Sequence, residues 1–223
     1  MRCNPTKMDI KEREMQIFPL IHIQLTYYPH AIHNFLFHNV RENTVIESAK
    51  DFFKLEPMKQ LVLIRHAKSE ESNAATKDFD RSLNPRGFSD APKMGLRLRE
   101  HGEHPQFVIS SPAERARLTA EFVLEQVGFA TENIHWEEEV YEASARILMH
   151  VVNNISEEYD TVWMFGHNPG FTYLAEYLTG EAIGNIPTCG VYAMTFEVGS
   201  WAEVSQHTAT RKFYMYPKEE SEQ

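Results

Sequence analysis

Cysteine is scarce in this chain: Cys3 and Cys189 are the only two among 223 residues. Two thiols so far apart in sequence suggest no disulfide framework. Long apolar runs are missing as well, and none approaches the ~20 residues that cross a bilayer. The first residues carry Asp9, Glu12 and Glu14 and hold no apolar core of the signal-peptide kind. A cytoplasmic protein with no membrane partner is therefore expected. Basic residues are in short supply, with 22 Lys and Arg against 32 Asp and Glu, for a net charge of −10. A nucleic-acid partner is not expected, because it needs Lys and Arg to replace phosphate counterions. An acidic chain that binds an anion must do so with a local basic cluster, and only a few arginines can supply one.

The charge is unevenly placed. Residues 1–57 hold seven basic and seven acidic groups, so the whole excess belongs to 58–223. Those first residues contain four of the eleven histidines and only weak periodicity. A helix from Thr44 to Leu55 is expected, ending before Pro57. His30, His33 and His38 invite a metal reading, but no Cys or carboxylate completes a zinc spacing, and ordinary imidazoles are expected. Residues 1–57 read as an extension of uncertain order, upstream of a working start at Met58, with a domain over 58–217 and a disordered tail over 218–223.

From Met58 onward, strand and helix patterns alternate. Gln60 to Ile64 read as a strand covered on both faces, running straight into Arg65 and His66. A polar loop follows from Lys68 to Asp80, then a turn at Leu83–Gly87. A helix is expected from Ser89 or Asp90 to about Gly102, with Pro92 in its first turn and Ala91, Met94, Gly95 and Leu98 as its inner stripe. Gln106 to Ser110 is a second strand, followed by a helix with Ser111 as N-cap and Glu114 completing a capping box. Asn133 to Trp136 suggests a short third strand and Ser144 to Ile155 a helix. Thr161 to Phe165 is a fourth strand, and the helix after it stops at Gly180. Gly190–Val198 and Lys212–Tyr216 read as late strands at an antiparallel edge. Strands alternating with helices predict a three-layer α/β/α sandwich with a mainly parallel sheet.

Three of these strands end in polar groups. The first delivers Arg65 and His66, the second leads to Ser111 and Arg115, and the fourth delivers His167. Right-handed crossovers place such ends on one edge of a parallel sheet. Helix starts at Ser111 and at Asn168–Pro169–Gly170 add backbone N–H groups that favour an anion. Arginine forks suit phosphate oxygens, so a phosphoryl site is the simplest reading.

At these residues the sequence resembles the histidine phosphatase superfamily, whose fold is phosphoglycerate mutase-like. Arg65-His66-Ala67 stands where that family has Arg-His-Gly. Ser111 through Ala120 is similar to its S-x-x-x-R-A-x-x-T-A segment, and Gly166-His167-Asn168-Pro169-Gly170 to its second-histidine motif. Arg65–Ser69, Asp78–Arg81 and Pro187–Val191 look more narrowly like SixA-type phosphohistidine phosphatases. The resemblance runs from about Met58 to Tyr216. It implies that His66 is a nucleophile passing through a phosphohistidine, and that Arg65, Arg115 and His167 hold the phosphoryl oxygens. Ser69 is a further substrate-binding candidate. No metal or cofactor is required, because four basic side chains already offset a dianionic phosphate.

Two departures matter. Ala67 replaces a glycine, which is acceptable if its φ is negative. No strong general acid is evident, with Glu142 the candidate and an exposed helix-flanking carboxylate its plainer reading. Imidazole leaves a phosphoramidate far more readily than an alkoxide leaves an ester, so a weak or missing acid favours phosphohistidine. The expected function is dephosphorylation of phosphohistidine in a protein, acting as a monomer on a phosphorylated protein. The alternatives are a phosphomonoesterase for a small phosphorylated metabolite and a non-catalytic phosphate-binding module. Cys189 is expected to be a small buried hydrophobe and not a nucleophile.

Overall fold

A computed structural model describes residues 58–72 and 75–217. The expected extension over 1–57, its helix from Thr44 to Leu55, its histidines His30, His33 and His38, and the tail over 218–223 lie outside the described residues. Among the described residues no helix is long and apolar enough to cross a membrane.

β1 (Met58–Arg65) is the strand around which the sheet is built. Leu61 and Leu63 point into one buried cluster, Val62 and Ile64 into another on the opposite face. That is why the run is continuously apolar, since a strand covered on both sides has no polar face. β4 (Thr161–Gly166) repeats the arrangement, with Val162 and Met164 on one face and Trp163 and Phe165 on the other. β2 (Phe107–Ser110), β3 (His135–Trp136), β5 (Val191–Glu197) and β6 (Ala209–Met215) complete a six-stranded sheet of order β3-β2-β4-β1-β5-β6. The β3-β2-β4-β1 pairings are parallel, whereas β5 is antiparallel to β1 and β6 to β5. The mainly parallel sheet with a late antiparallel edge is as the pattern predicts.

Helices cover both faces. α1 (Pro85–Glu100) and α2 (Glu114–Val127) supply Ala91, Met94, Leu98, Ala120, Val123 and Leu124 to the Val62 face. α3 (Ala145–Asn153) and α4 (Gly170–Thr179) supply Leu148, Val152, Phe171, Leu174 and Leu178 to the Leu61 face. At nine residues α3 is too short to persist alone. It is held by burial of Leu148 and Val152, worth roughly 1.5–3 kcal/mol each, and by Ser144, whose side chain accepts the Ile147 amide.

Several boundaries differ from expectation. α1 starts at Pro85, because Asn84 caps it through the Gly87 amide and Pro85 takes a first-turn position where its missing N–H costs nothing. The expected turn at Leu83–Gly87 is thus the helix start, and Pro92 lies in the helix interior. Buried Gly87 and Ala91 before it, and Met94, Gly95 and Leu98 after it, hold the helix across the lost bond. α2 begins at Glu114 with Ala113 as N-cap and no side-chain cap bond, so the capping box at Ser111 does not form. The Glu114 carboxylate binds Arg117 instead. Asn133 belongs to a 3₁₀ turn, leaving β3 only His135 and Trp136. β6 starts at Ala209, ahead of the expected Lys212, because its pairing with β5 already begins at Ala209 and Phe196.

Candidate active site

Neighbouring strands deliver the site. β2, β4 and β1 lie side by side, with Ser110 opposite Phe165 and Arg65 opposite Gly166. The register carries on past the strands: the His66 amide donates to Gly166 O at 2.9 Å and the Ser111 amide to Phe165 O at 3.0 Å. Arg65–His66, Ser111 and His167 therefore leave the sheet at one edge, with the His66 and His167 ring centroids 5.2 Å apart. Arg115, one residue into α2, and Arg65 both act electrostatically on the two histidines.

The His66 ring is oriented by its own chain. Nδ1 lies 2.8 Å from Ala67 O, and a carbonyl only accepts, so Nδ1 carries the proton and Nε2 the lone pair. Burial pushes the pKa of His66 down to about 3, opposed by the Ala67 bond and reinforced by Arg115, Arg65 and Arg81. The imidazole is thus neutral at pH 7 and free to attack through Nε2. Ala67 is absent from the positive-φ residues, so the loss of a glycine there is harmless. Its amide donates to Thr119 Oγ1 at 2.9 Å, and that hydroxyl donates to Arg115 O at 2.6 Å, tying the nucleophile loop to α2.

His167 is set by Ser111. Nε2 lies 2.9 Å from Ser111 Oγ, which also accepts the Ala113 amide at 3.3 Å. The assignment that leaves no hydroxyl hydrogen unpaired has Ser111 donating to Nε2, so Nδ1 bears the ring proton. Burial above all, then His66 and the arginines, push the pKa of His167 down to about 3, against an upward pull from Asp78.

Arg115 is almost wholly buried and is gripped by one residue. Nη1 donates to Asp78 O at 2.6 Å and Nη2 to Asp78 Oδ2 at 2.8 Å. Asp78 also accepts from Tyr141 Oη at 2.9 Å and from Arg81 Nε at 2.9 Å. Burial raises the Asp78 pKa, but Tyr141, Arg115 and Arg81 outweigh it and hold the carboxyl below its usual value. Arg65 donates through Nη1 to Ile186 O at 2.7 Å and Asn185 Oδ1 at 3.3 Å, and burial lowers its guanidinium pKa.

Three donors at this edge have no protein partner among the described residues: Arg65 Nε, Arg115 Nε and His167 Nδ1, all buried. Buried N–H groups are nearly always paired, and leaving one unpaired costs roughly 1–3 kcal/mol. Three around one free imidazole lone pair describe a cradle for an oxyanion.

The other candidates stand further out. Ser69 is buried and accepts from Arg81 Nη1 at 3.2 Å, so it is joined to the cluster through Arg81. Glu142 is exposed, with φ of 48°, next to Tyr141, whose phenol pKa it helps to raise. Cys189 is fully buried, its thiol pKa raised by burial, and its amide donates to His66 O at 3.0 Å. Asp78 and Thr119 stand in segments that carry the family resemblance, but sequence reasoning assigned no role at the site to them or to Tyr141. It did not show the bond from Ser111 to His167 either. Asp78 and Arg81 stand three apart in a polar loop, a faint pairing signal, while nothing in the sequence aims Tyr141 at them.

The chain is similar to known proteins in sequence and in fold. A family model described as histidine phosphatase superfamily (branch 1) matches residues 61–149, which include Arg65, His66 and Arg115 but not His167. An uncharacterised chloroplastic protein of Arabidopsis thaliana is 33% identical over 153 residues, 65% of this chain and 70% of that protein. Among solved structures, one from Agrobacterium tumefaciens provisionally assigned as the phosphohistidine phosphatase SixA has a TM-score of 0.61 at 24% identity. It covers 72% of this chain and 99% of its own. The protein histidine phosphatase SixA complexed with tungstate has a TM-score of 0.57 at 22% identity, covering 70% of this chain and 96% of its own.

Proposed function

Because this chain belongs to the histidine phosphatase superfamily, we propose that it removes the phosphoryl group from phosphohistidine in a protein, with His66 as nucleophile. The observation that carries the reading is the set of three unpartnered buried donors around a neutral imidazole. In the first step His66 Nε2 forms a bond to phosphorus as the P–N bond to the substrate imidazole breaks. The leaving ring, protonated from water on its other nitrogen, keeps the electron pair and departs as neutral imidazole. The hydroxide so formed takes up the proton that the attacking water gives up in the second step. Arg65 Nε, Arg115 Nε and His167 Nδ1 donate to the phosphoryl oxygens, where charge is greatest in the transition state. In the second step water attacks phosphorus, inorganic phosphate leaves and Nε2 regains its lone pair.

The choice of an activated phosphate over an ester rests on proton supply. Asp78 is held ionised by Tyr141, Arg115 and Arg81, and among the described residues no other carboxyl hydrogen-bonds to Arg65, His66, Arg115 or His167. An imidazole leaving group tolerates that, and an alkoxide does not. The solved SixA structure holds tungstate, an oxyanion of the kind these donors suit.

The test is a panel of a phosphohistidine peptide, a phosphoserine peptide and sugar phosphates, with wild type and His66→Ala. The expected result is preference for phosphohistidine, an acid-labile phosphoenzyme in wild type, and a loss of at least roughly a thousandfold in His66→Ala. Preference for the esters would make the protein a metabolite phosphomonoesterase. Absence of both turnover and phosphoenzyme would leave a phosphate-binding module.

A further inference from the structure

We propose that Asp78 is a positioning residue that presents Arg115 to the phosphoryl group, a role that rests on the phosphatase reading above. Both terminal nitrogens of Arg115 are held by this one residue, Nη1 by its carbonyl at 2.6 Å and Nη2 by its carboxylate at 2.8 Å. A guanidinium has five N–H donors in a planar fork. With the end edge gripped, the side edge made of Nε–H and the second hydrogen of Nη2 is left for substrate. Nε is buried without a protein partner among the described residues. Such an edge matches two phosphoryl oxygens in one plane. Without Asp78 the guanidinium could rotate about its last torsions and lose that aim.

The carboxylate is committed to its neighbours. Oδ1 accepts from Arg81 Nε at 2.9 Å and stands in ion-pair contact with Arg81 Nη2 at 2.7 Å, while Oδ2 accepts from Arg115 Nη2 at 2.8 Å and Tyr141 Oη at 2.9 Å. Three hydrogen bonds and two arginine charges hold it as an ionised acceptor. Asp78 therefore acts through Arg115 and not on the substrate. Tyr141 is the second arm of the clamp, its ring edge-on to His167 at 5.5 Å and 5.9 Å from the Arg115 guanidinium. Arg81 anchors the Asp78 turn to the loop after β1, donating to Glu70 O at 2.8 Å and Ser69 Oγ at 3.2 Å. One carboxylate thus fixes two arginines and a tyrosine that come from three separate parts of the chain.

The experiment compares wild type, Asp78→Ala and Asp78→Asn, with thermal unfolding recorded beside every assay. Hydrolysis of phosphoramidate gives kcat, and calorimetric titration with inorganic phosphate gives oxyanion affinity. Misplacing an aligned group costs about a hundredfold in rate, whereas loosening one charge-assisted contact costs roughly tenfold in binding. Asp78→Ala is expected to lower kcat about a hundredfold and phosphate affinity about tenfold, a rate loss in excess of the binding loss. Asp78→Asn retains the carbonyl grip and one acceptor oxygen, and is expected to recover most of both losses. Asp78→Ala within twofold of wild type in kcat, or kcat and folded fraction falling in proportion, would overturn the role. If wild type does not cleave phosphoramidate, the phosphate titration decides alone: affinity unchanged in a folded Asp78→Ala sinks the proposal, and a tenfold loss supports it while the substrate reading fails separately.

Discussion

Ser111 shows how one hydroxyl can decide what a neighbouring histidine does. It read as a helix N-cap in sequence, because Ser-Pro-x-Glu is a common helix start. In the structure its oxygen lies between the Ala113 amide and His167 Nε2, and α2 begins without a side-chain cap. The tautomer with a proton on Nδ1 follows from that bond, and so does the donor that faces the oxyanion. Ser111→Ala is expected to release the tautomer and lower kcat by about tenfold, the equivalent of roughly one neutral hydrogen bond. Nitrogen-15 shifts of the His167 ring would show the Nε2-protonated form appearing; an unchanged spectrum with unchanged kcat would remove Ser111 from the site. Strand ends brought Arg65, His66 and His167 forward in the sequence, whereas Arg115 was singled out over Arg117 only by the family resemblance. The serine bond was not legible, since one residue type serves as cap or as orienter and only the fold decides which.

The element that most affects the site without lying in it is the start of α1. Asn84 donates its amide to Lys68 O at 3.0 Å, and the first turn of α1 packs against that same carbonyl. A Cβ on Gly87 would collide with Lys68 O, a backbone atom that cannot swing aside. Gly87 therefore stands where two backbones touch, and its neighbour segment carries Ser69 and Glu70, which hold Arg81. Gly87→Ala is expected to destabilise the protein by about 1–3 kcal/mol, read as a lower denaturation midpoint. It should lower kcat as well through a displaced Arg81 and Asp78. Stability within about 0.5 kcal/mol of wild type would contradict this contact. The sequence pattern placed a turn at Leu83–Gly87, and the difference is instructive. Proline and glycine marked an interruption, but the interruption was a helix entry packed against the loop after β1. Core strands were legible to within a residue or two because a two-sided apolar run has few other uses. The polar turn Asp78–Arg81 was not, because its contacts reach far along the chain, from Asp78 to Arg115 and Tyr141 and from Arg81 to Ser69 and Glu70.

For the whole molecule, the phosphoglycerate mutase-like sandwich places two buried neutral histidines at the end of its central strands, and that has a consequence for acid stability. His66 and His167 each sit at about 3 in the fold, against an unfolded value of 6.5. Between those values the unfolded chain binds protons that the folded chain refuses. Stability therefore rises with pH across this window and falls as the pH drops below 6.5. Each histidine contributes a slope of about 1.4 kcal/mol per pH unit where it is fully in play. Asp78 adds to the loss only as the pH falls through the carboxyl range, since its ordinary value is 3.8 and its folded value lies lower. The upper part of the window, from 6.5 down to about 5.5, is dominated by the histidines, before Glu157, whose ordinary value of 4.5 is lowered by its Ser200 hydrogen bond, joins in. Urea midpoints measured across it should fall steadily for wild type and less steeply for His66→Gln, which removes one of the two titrating rings. Saturating phosphate should flatten the wild-type curve, because an anion among Arg65, Arg115 and His167 favours the charged imidazoles. A wild-type stability that stays level across that upper part would mean that the rings are not held neutral by burial, and the free lone pair on His66 would need another cause.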